Sequence, residues 1–200
     1  TNAINEFEYT EYFENIKKEY DAIIHISLSS GLSSSCANAK RAAQQMKDVF
    51  VIDSQSLSTG IGLLALYASK LVEDGYAPNE IFEKVQARVE SVQASFVLER
   101  LDYLHKGGRC NLFTLLGATI LKIRPRIVVK NGKMGSDKKI KGNMGKVVRK
   151  YGESVFEDFH TPDLENVFIT YTSATEEMLE EIRQIVSEKG LKNVYETRAG

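Results

Sequence analysis

The sequence predicts a two-domain α/β protein, with a mostly parallel sheet in the first domain and a second α/β domain of different pattern. Three observations predict it. Two short apolar runs, Ala22–Ser27 (AIIHIS) and Val49–Asp53 (VFVID), read as buried strands. They alternate with helical stretches, and that alternation marks a parallel sheet covered on both faces. The pattern then changes near Ser95–Gly107, which divides the chain into domains 1–98 and 99–200.

The elements follow in order. Glu6–Lys18 carries Phe7, Tyr9, Phe13 and Ile16 near helical spacing. After the first strand, Ser29–Leu32 reads as a tight turn and Ser33–Lys47 as an alanine-rich helix. Ser54–Gly60 is a polar loop leading into the apolar helix Ile61–Glu73, which Gly75 ends. Asn79–Val92 sets Ile81, Phe82, Val85, Val89 and Val92 on one helical face. In the second half, Leu98–Leu104 is amphipathic and Leu112–Leu121 is almost wholly apolar. Pro125 precedes a strand, Arg126–Lys130, and Asn131-Gly132 is a hairpin-turn signal. Lys138–Phe159 reads as helical over much of its length, and Val167–Tyr171 as a strand. Glu176–Lys189 is an amphipathic helix stopped by Gly190, and Asn193–Glu196 begins another strand.

Composition narrows the function classes. The chain has 200 residues, 42% hydrophobic and 26% charged, the profile of a globular protein. A net charge of −1 gives no bulk field to draw in nucleic acid or an anionic membrane. Basic residues do gather late, at Lys133, Lys138, Lys139, Lys141, Lys146 and Arg149; a solvated surface and a docking patch for an acidic partner both fit. Cys36 and Cys110 lack CxxC partners, which argues against a disulfide framework or a structural zinc and suits a cytoplasmic setting. No apolar run reaches the ~20 residues that cross a bilayer. The opening Thr1-Asn2-Ala3, without Met, and a strand starting so near Gly200 read as a fragment lacking N- and C-terminal parts.

Three stretches carry candidate chemistry. Ser27-Leu28-Ser29-Ser30-Gly31-Leu32-Ser33 follows a strand and opens a helix, the place where ligands collect in an α/β sheet. Backbone N–H groups and the helix dipole favour an anion there, and serine hydroxyls add neutral donors. Serines also cap helices with no ligand present, but three around one glycine leave donors to spare. Asp53–Gly60, with Ser54 and Ser58, follows the second strand and admits the same two readings. If both loops share a sheet edge, they wall one crevice. The third stretch is Tyr103–Arg109, where Arg109 reaches an acid or a phosphate, or forms a structural ion pair. Neither GxxxxGK[ST] nor GxSxG is present, and Ser30 has no evident base. Of the histidines, His25 lies in a strand, His105 near the junction and His160 in a loop; no catalytic set and no metal cluster emerges.

At these residues the chain resembles the DegV family, the fatty-acid-binding proteins of bacterial fatty acid kinase. The family's LSSGxSGTYxxA corresponds to Leu28–Ala39, VxDSxxxSxGxG to Val51–Gly62, and YLxKGGRI to Tyr103–Cys110. Leu115-Leu116-Gly117 and Lys122–Pro125 continue the match, so the resemblance covers essentially the whole chain. Departures are Ser34-Ser35-Cys36 for Gly-Thr-Tyr, Cys110 for isoleucine, and a loose match of Thr1–Asn5 to TSxxS. A histidine-bearing segment that helps hold the carboxylate in the family is expected beyond Gly200.

The resemblance implies a long-chain fatty acid buried between or within two domains. Thr1 and a serine of the turn, Ser30 with Ser29 and Gly31 beside it, hold the carboxylate, with Ser54, Ser58 and Arg109 as pocket or partner contacts. It implies a non-catalytic subunit without cofactor or metal. A separate kinase subunit carrying ATP phosphorylates the bound acid, and transient membrane contact is compatible with that role. Two rivals stand beside this reading: an enzyme acting on a phosphorylated small metabolite bound by both serine loops, and a purely structural or interaction domain.

Overall fold

The computed structural model describes residues 2–99, 107–108, 123–158 and 161–199. They form two compact units. The first comprises Thr1–Ala94 together with Val129–Lys133, and the second Ser95–Val128 together with Met134–Gly200.

In the first unit the order is α1 (Glu6–Lys17), β1 (Ile23–Ser27), α2 (Ser35–Ala43), β2 (Val49–Asp53), α3 (Thr59–Glu73) and α4 (Pro78–Arg88), with a 3₁₀ turn at Val89–Ser91. Helix α1 starts on a reciprocal cap: the Asn5 side chain accepts from Glu8 N, and Glu8 Oε2 accepts from Asn5 N, both at 2.9 Å. Strands β1 and β2 pair in parallel, with Ile23 opposite Val49 and Ser27 opposite Asp53. Each face is covered. Ile52, Leu64, Leu71, Ile81 and Val85 pack with Ile24 and Ile26 under α3 and α4. Tyr9, Phe13, Ile23, Ala39, Ala42 and Val51 pack under α1 and α2. This double cover is why both strands read as continuous apolar runs. Because the pair is parallel, β1 and β2 also end at the same edge.

The second unit holds most of a three-stranded sheet, in the order β3 (Ala94–Val97), β4 (Ile123–Lys130), β5 (Lys133–Lys141). Then come α5 (Met144–Glu157), β6 (Asn166–Tyr171), α6 (Glu176–Glu188) and β7 (Asn193–Arg198), with β6 and β7 parallel. Ile169, Leu179 and Val186 form the core between α6 and its sheet. Arg126, 3% exposed, is held by Asp137, by Asp158 and by the Ser154 carbonyl at 2.9 Å. Hydrogen bonds from this guanidinium hold both Asp137 and Asp158 below the usual carboxylate range.

Four expectations need correction. Lys138–Lys141 is strand, not helix: pairing with β4 overrides the helix preference of a lysine run. The helix begins only after Asn143, whose side chain accepts from Lys146 N at 3.2 Å. Helix α2 is shorter than expected, closing at Ala43. Strand β3 was not foreseen, and β4 starts at Ile123 and includes Pro125. Phe7 belongs to no core; it is 68% exposed, on the side of α1 away from Tyr9 and Phe13. The late basic cluster is partly neutralised, with Lys138 paired to Asp158 and Glu157 and Arg149 to Glu153 and Glu181.

Candidate ligand-binding site

The two serine loops leave the carboxyl ends of β1 and β2 and meet. Ser29 N donates to Ser56 O at 3.0 Å, and Ser30 N donates to Asp53 Oδ1 at 3.1 Å. Asp53 also accepts from Gln55 N at 3.1 Å, so its carboxylate pins both loops. Strand parallelism dictates this meeting, since both chain exits lie on one edge.

Ser29 is fully buried. Its hydroxyl donates to Gly132 O at 2.7 Å and accepts from Gly31 N at 3.1 Å. The Leu32 and Ser33 amides return to Ser29 O at 3.0 and 3.1 Å. Ser33 Oγ accepts from Ser35 N at 3.1 Å and so satisfies one amide in the first turn of α2. The amides from Ser29 to Ser33 therefore all have protein partners. The Ser30 side chain is different: it is exposed and has no hydrogen bond among the described residues. What the turn offers a ligand is this hydroxyl rather than a nest of amides.

In the second loop, Ser54 is buried, donating to Ser56 O and accepting from Ser56 N at 3.2 and 3.1 Å. The buried Ser56 hydroxyl has no hydrogen-bond partner among the described residues and lies against Gly60. Ser58 is exposed. Gln55 and Ser58 take positive φ values of 46° and 49°, a conformation costly for residues bearing a Cβ.

Beneath the loops, His25 lies edge-on to Tyr9 and Phe13, at ring separations of 5.3 and 5.4 Å. Burial lowers its pKa. Burial and the Asp53 charge push the Cys36 thiol up, which makes it an inert packing group. Thr1, His105, Arg109, Cys110, His160 and the apolar run before Ile123 lie outside the described residues. Gly107 and Gly108 form a turn, with Gly108 at φ 66°. Two surface clefts, of about 350 and 250 Å³, are lined by neither serine loop.

Sequence reasoning placed Asp53 in the second loop but gave it no role in joining the two, and it did not connect Gly132 to either loop. Asp53 carries a local signal, an aspartate at a strand end capping its own turn. Gly132 carries none, because it reaches Ser29 across 103 positions of sequence.

Parallel β–α units whose two hydroxyl-rich loops meet at the strand ends make this an α/β protein of the parallel-sheet class. The DegV family model matches residues 1–200, and the chain belongs to this family. A DegV domain-containing protein of Clostridium perfringens is 25% identical over 196 residues, covering 94% of this chain and 67% of the relative. The matched region spans about half the length of other curated relatives, 52% and 51% in two of them. Among solved structures, DegV of Bacillus subtilis, a fatty acid binding protein, is 26% identical with a TM-score of 0.77, covering 96% of this chain and 69% of its own. A DegV family protein of Ruminococcus gnavus, solved with vaccenic acid, is 25% identical with a TM-score of 0.80, covering 99% of this chain and 72% of its own. No helix among the described residues is long and apolar enough to cross a membrane.

Proposed function

We propose that the chain binds a long-chain fatty acid and presents its carboxylate to a separate ATP-carrying kinase subunit, which forms the acyl phosphate. In this reading the protein is a cytoplasmic carrier with no catalysis, cofactor or metal of its own, and it meets membranes only transiently. Ser30 donates to the headgroup, Thr1 supplies a second hydroxyl, and Ser29 with Gly31 forms the turn. Ser58 and Arg109 serve the headgroup end or the partner face, while the buried Ser54, whose hydroxyl is taken up by Ser56, shapes its loop instead.

The observation that carries this reading is the junction of the two serine loops, with the free Ser30 hydroxyl, in a DegV family chain whose relatives include fatty-acid-bound proteins. The chemistry is consistent with it. Each buried methylene contributes about 0.8 kcal/mol, so the acyl chain supplies most of the affinity and the head needs only orienting donors. Neutral hydroxyls tolerate both the acid and its phosphorylated product, where an arginine clamp would retain the more charged one.

Mass spectrometry of lipid extracted from the freshly purified protein tests the reading. A co-purifying long-chain fatty acid is expected. An empty protein that also fails to bind fatty acid in titration overturns it, and a rise in melting temperature with a soluble sugar phosphate instead would favour a metabolite enzyme. Ser30→Ala is expected to weaken fatty-acid binding about tenfold, the size of one lost hydrogen bond, with the fold intact. Hydroxylamine trapping of acyl phosphate, on adding the kinase subunit and ATP, tests the presentation step.

A further inference from the structure

The hairpin turn Asn131-Gly132 lies against the serine turn at backbone distance. A Cβ on Gly31 would come within 2.5 Å of Gly132 O, and a Cβ on Gly132 within 2.6 Å of Ser29 Oγ. That same Cβ would stand 3.7 Å from Gln55 Cα. Three segments, 29–31, 55–56 and 131–133, therefore converge on one point, and all belong to the first unit. Asn131 and Gly132 have φ values of 51° and 73°, the double left-handed geometry of a tight hairpin turn. That geometry aims the Gly132 carbonyl at Ser29.

A serine hydroxyl has one proton. Ser29 gives it to Gly132 O at 2.7 Å, and its lone pair takes the Gly31 amide at 3.1 Å. Ser29 thus has no proton for a ligand. Its hydroxyl instead relays the position of the hairpin tip to the turn that carries Ser30. Two glycines meeting in this way leave no slack: a shift of the tip moves Ser29, and with it the Ser30 hydroxyl.

Resting on the fatty-acid reading above, we propose that Gly132 is a positioning residue for the headgroup: its carbonyl, through Ser29, fixes where Ser30 presents its hydroxyl. Ser29 is then part of the positioning device and Ser30 the group that touches the carboxylate. The acyl chain lies outside the reach of this device, which predicts a headgroup-specific defect when it is broken.

The test compares binding of vaccenic acid and its methyl ester to the wild-type protein and to the Gly132→Ala and Ser29→Ala variants, with circular dichroism melts of each. Both variants are expected to bind the acid about tenfold more weakly while ester affinity stays unchanged, so the preference for acid over ester collapses. Ser29→Thr, which keeps the hydroxyl, is expected to retain more of that preference than Ser29→Ala. Parallel loss of acid and ester in folded Ser29→Ala would show a general structural role and overturn the proposal. Unchanged preference in that variant would overturn it as well, even if Gly132→Ala failed to fold. A wild-type protein that binds neither probe would remove the fatty-acid reading itself, and the positioning role with it.

Discussion

The serine-loop edge of the first unit and the arginine cluster of the second solve the same problem with opposite chemistry. Both join distant segments through buried polar groups. At the serine edge, Ser29 is joined to Gly132 and Ser54 to Ser56 by hydroxyl–carbonyl bonds, and among the described residues Asp53 is the one charged group bonded to the turn. In the second unit, Arg126 gathers Asp137, Asp158 and Ser154 from β5 and the end of α5 through full charges. Neutral bonds are individually modest but nearly indifferent to pH and salt. Buried charge is held only while its partners stay ionised. The edge proposed to meet a ligand therefore rests on neutral bonds and one carboxylate, Asp53, whereas the cluster of the second unit rests on an arginine and two carboxylates.

Breaking the charged side gives the largest effect. Arg126→Met leaves Asp137 without its guanidinium partner and Asp158 with Lys138 alone, and is expected to cost about 3 kcal/mol, read as a lowered denaturant midpoint. On the neutral side, Gly60→Ala drives a Cβ into the Ser56 hydroxyl and against Ala94. A cost of about 1–3 kcal/mol is expected from overpacking, with the second unit unaffected in hydrogen exchange.

Acid titration separates the units without a mutation. Burial lowers the His25 pKa, so the unfolded chain binds the proton first, and stability falls as pH drops below the ordinary histidine value of about 6.5. Asp137 and Asp158 are depressed, so their contribution is present above the ordinary aspartate value of about 3.9 and is lost as pH falls from there through their folded values. The first unit is expected to weaken in mild acid while the charge cluster still holds. Melting curves against pH for wild type and His25→Phe check this: the variant should lose the mild-acid decline and keep the strong-acid one. The smallest effect is expected at the half-buried surface residue Arg183, which pairs with Glu196 and Glu176. Glu196→Gln should lower the melting temperature slightly at low salt and not at all at high salt.

Much of the first unit is legible because its signals are local. AIIHIS and VFVID announce strands covered on both faces, and Asn5 with Glu8 and Pro78 with Glu80 mark helix starts within one turn. Gly75 and Gly190, with φ values of 81° and 77°, mark helix ends in the same way. Strand β5 escapes this logic, because Lys138, Lys139 and Lys141 favour helix and only the partner strand decides otherwise. The site divides along the same line. The two serine loops can be read from strand ends, and parallel pairing brings them together. The use of Ser29 cannot be read locally, since the group that takes its proton stands at Gly132 and nothing in either segment names the other.

That long-range contact has a consequence for how the molecule comes into being. The first unit is not complete when its helices and strands have been synthesised; it lacks residues 129–133 until about a third of the way into the second half of the chain. Until then Ser29 sits in a turn without its acceptor, and closing so distant a contact makes this corner slow to form relative to the helices around it. A cut at residue 98 would yield a piece with both strands and all four helices, yet with an open serine turn. Its capacity to fold would say little about its capacity to bind.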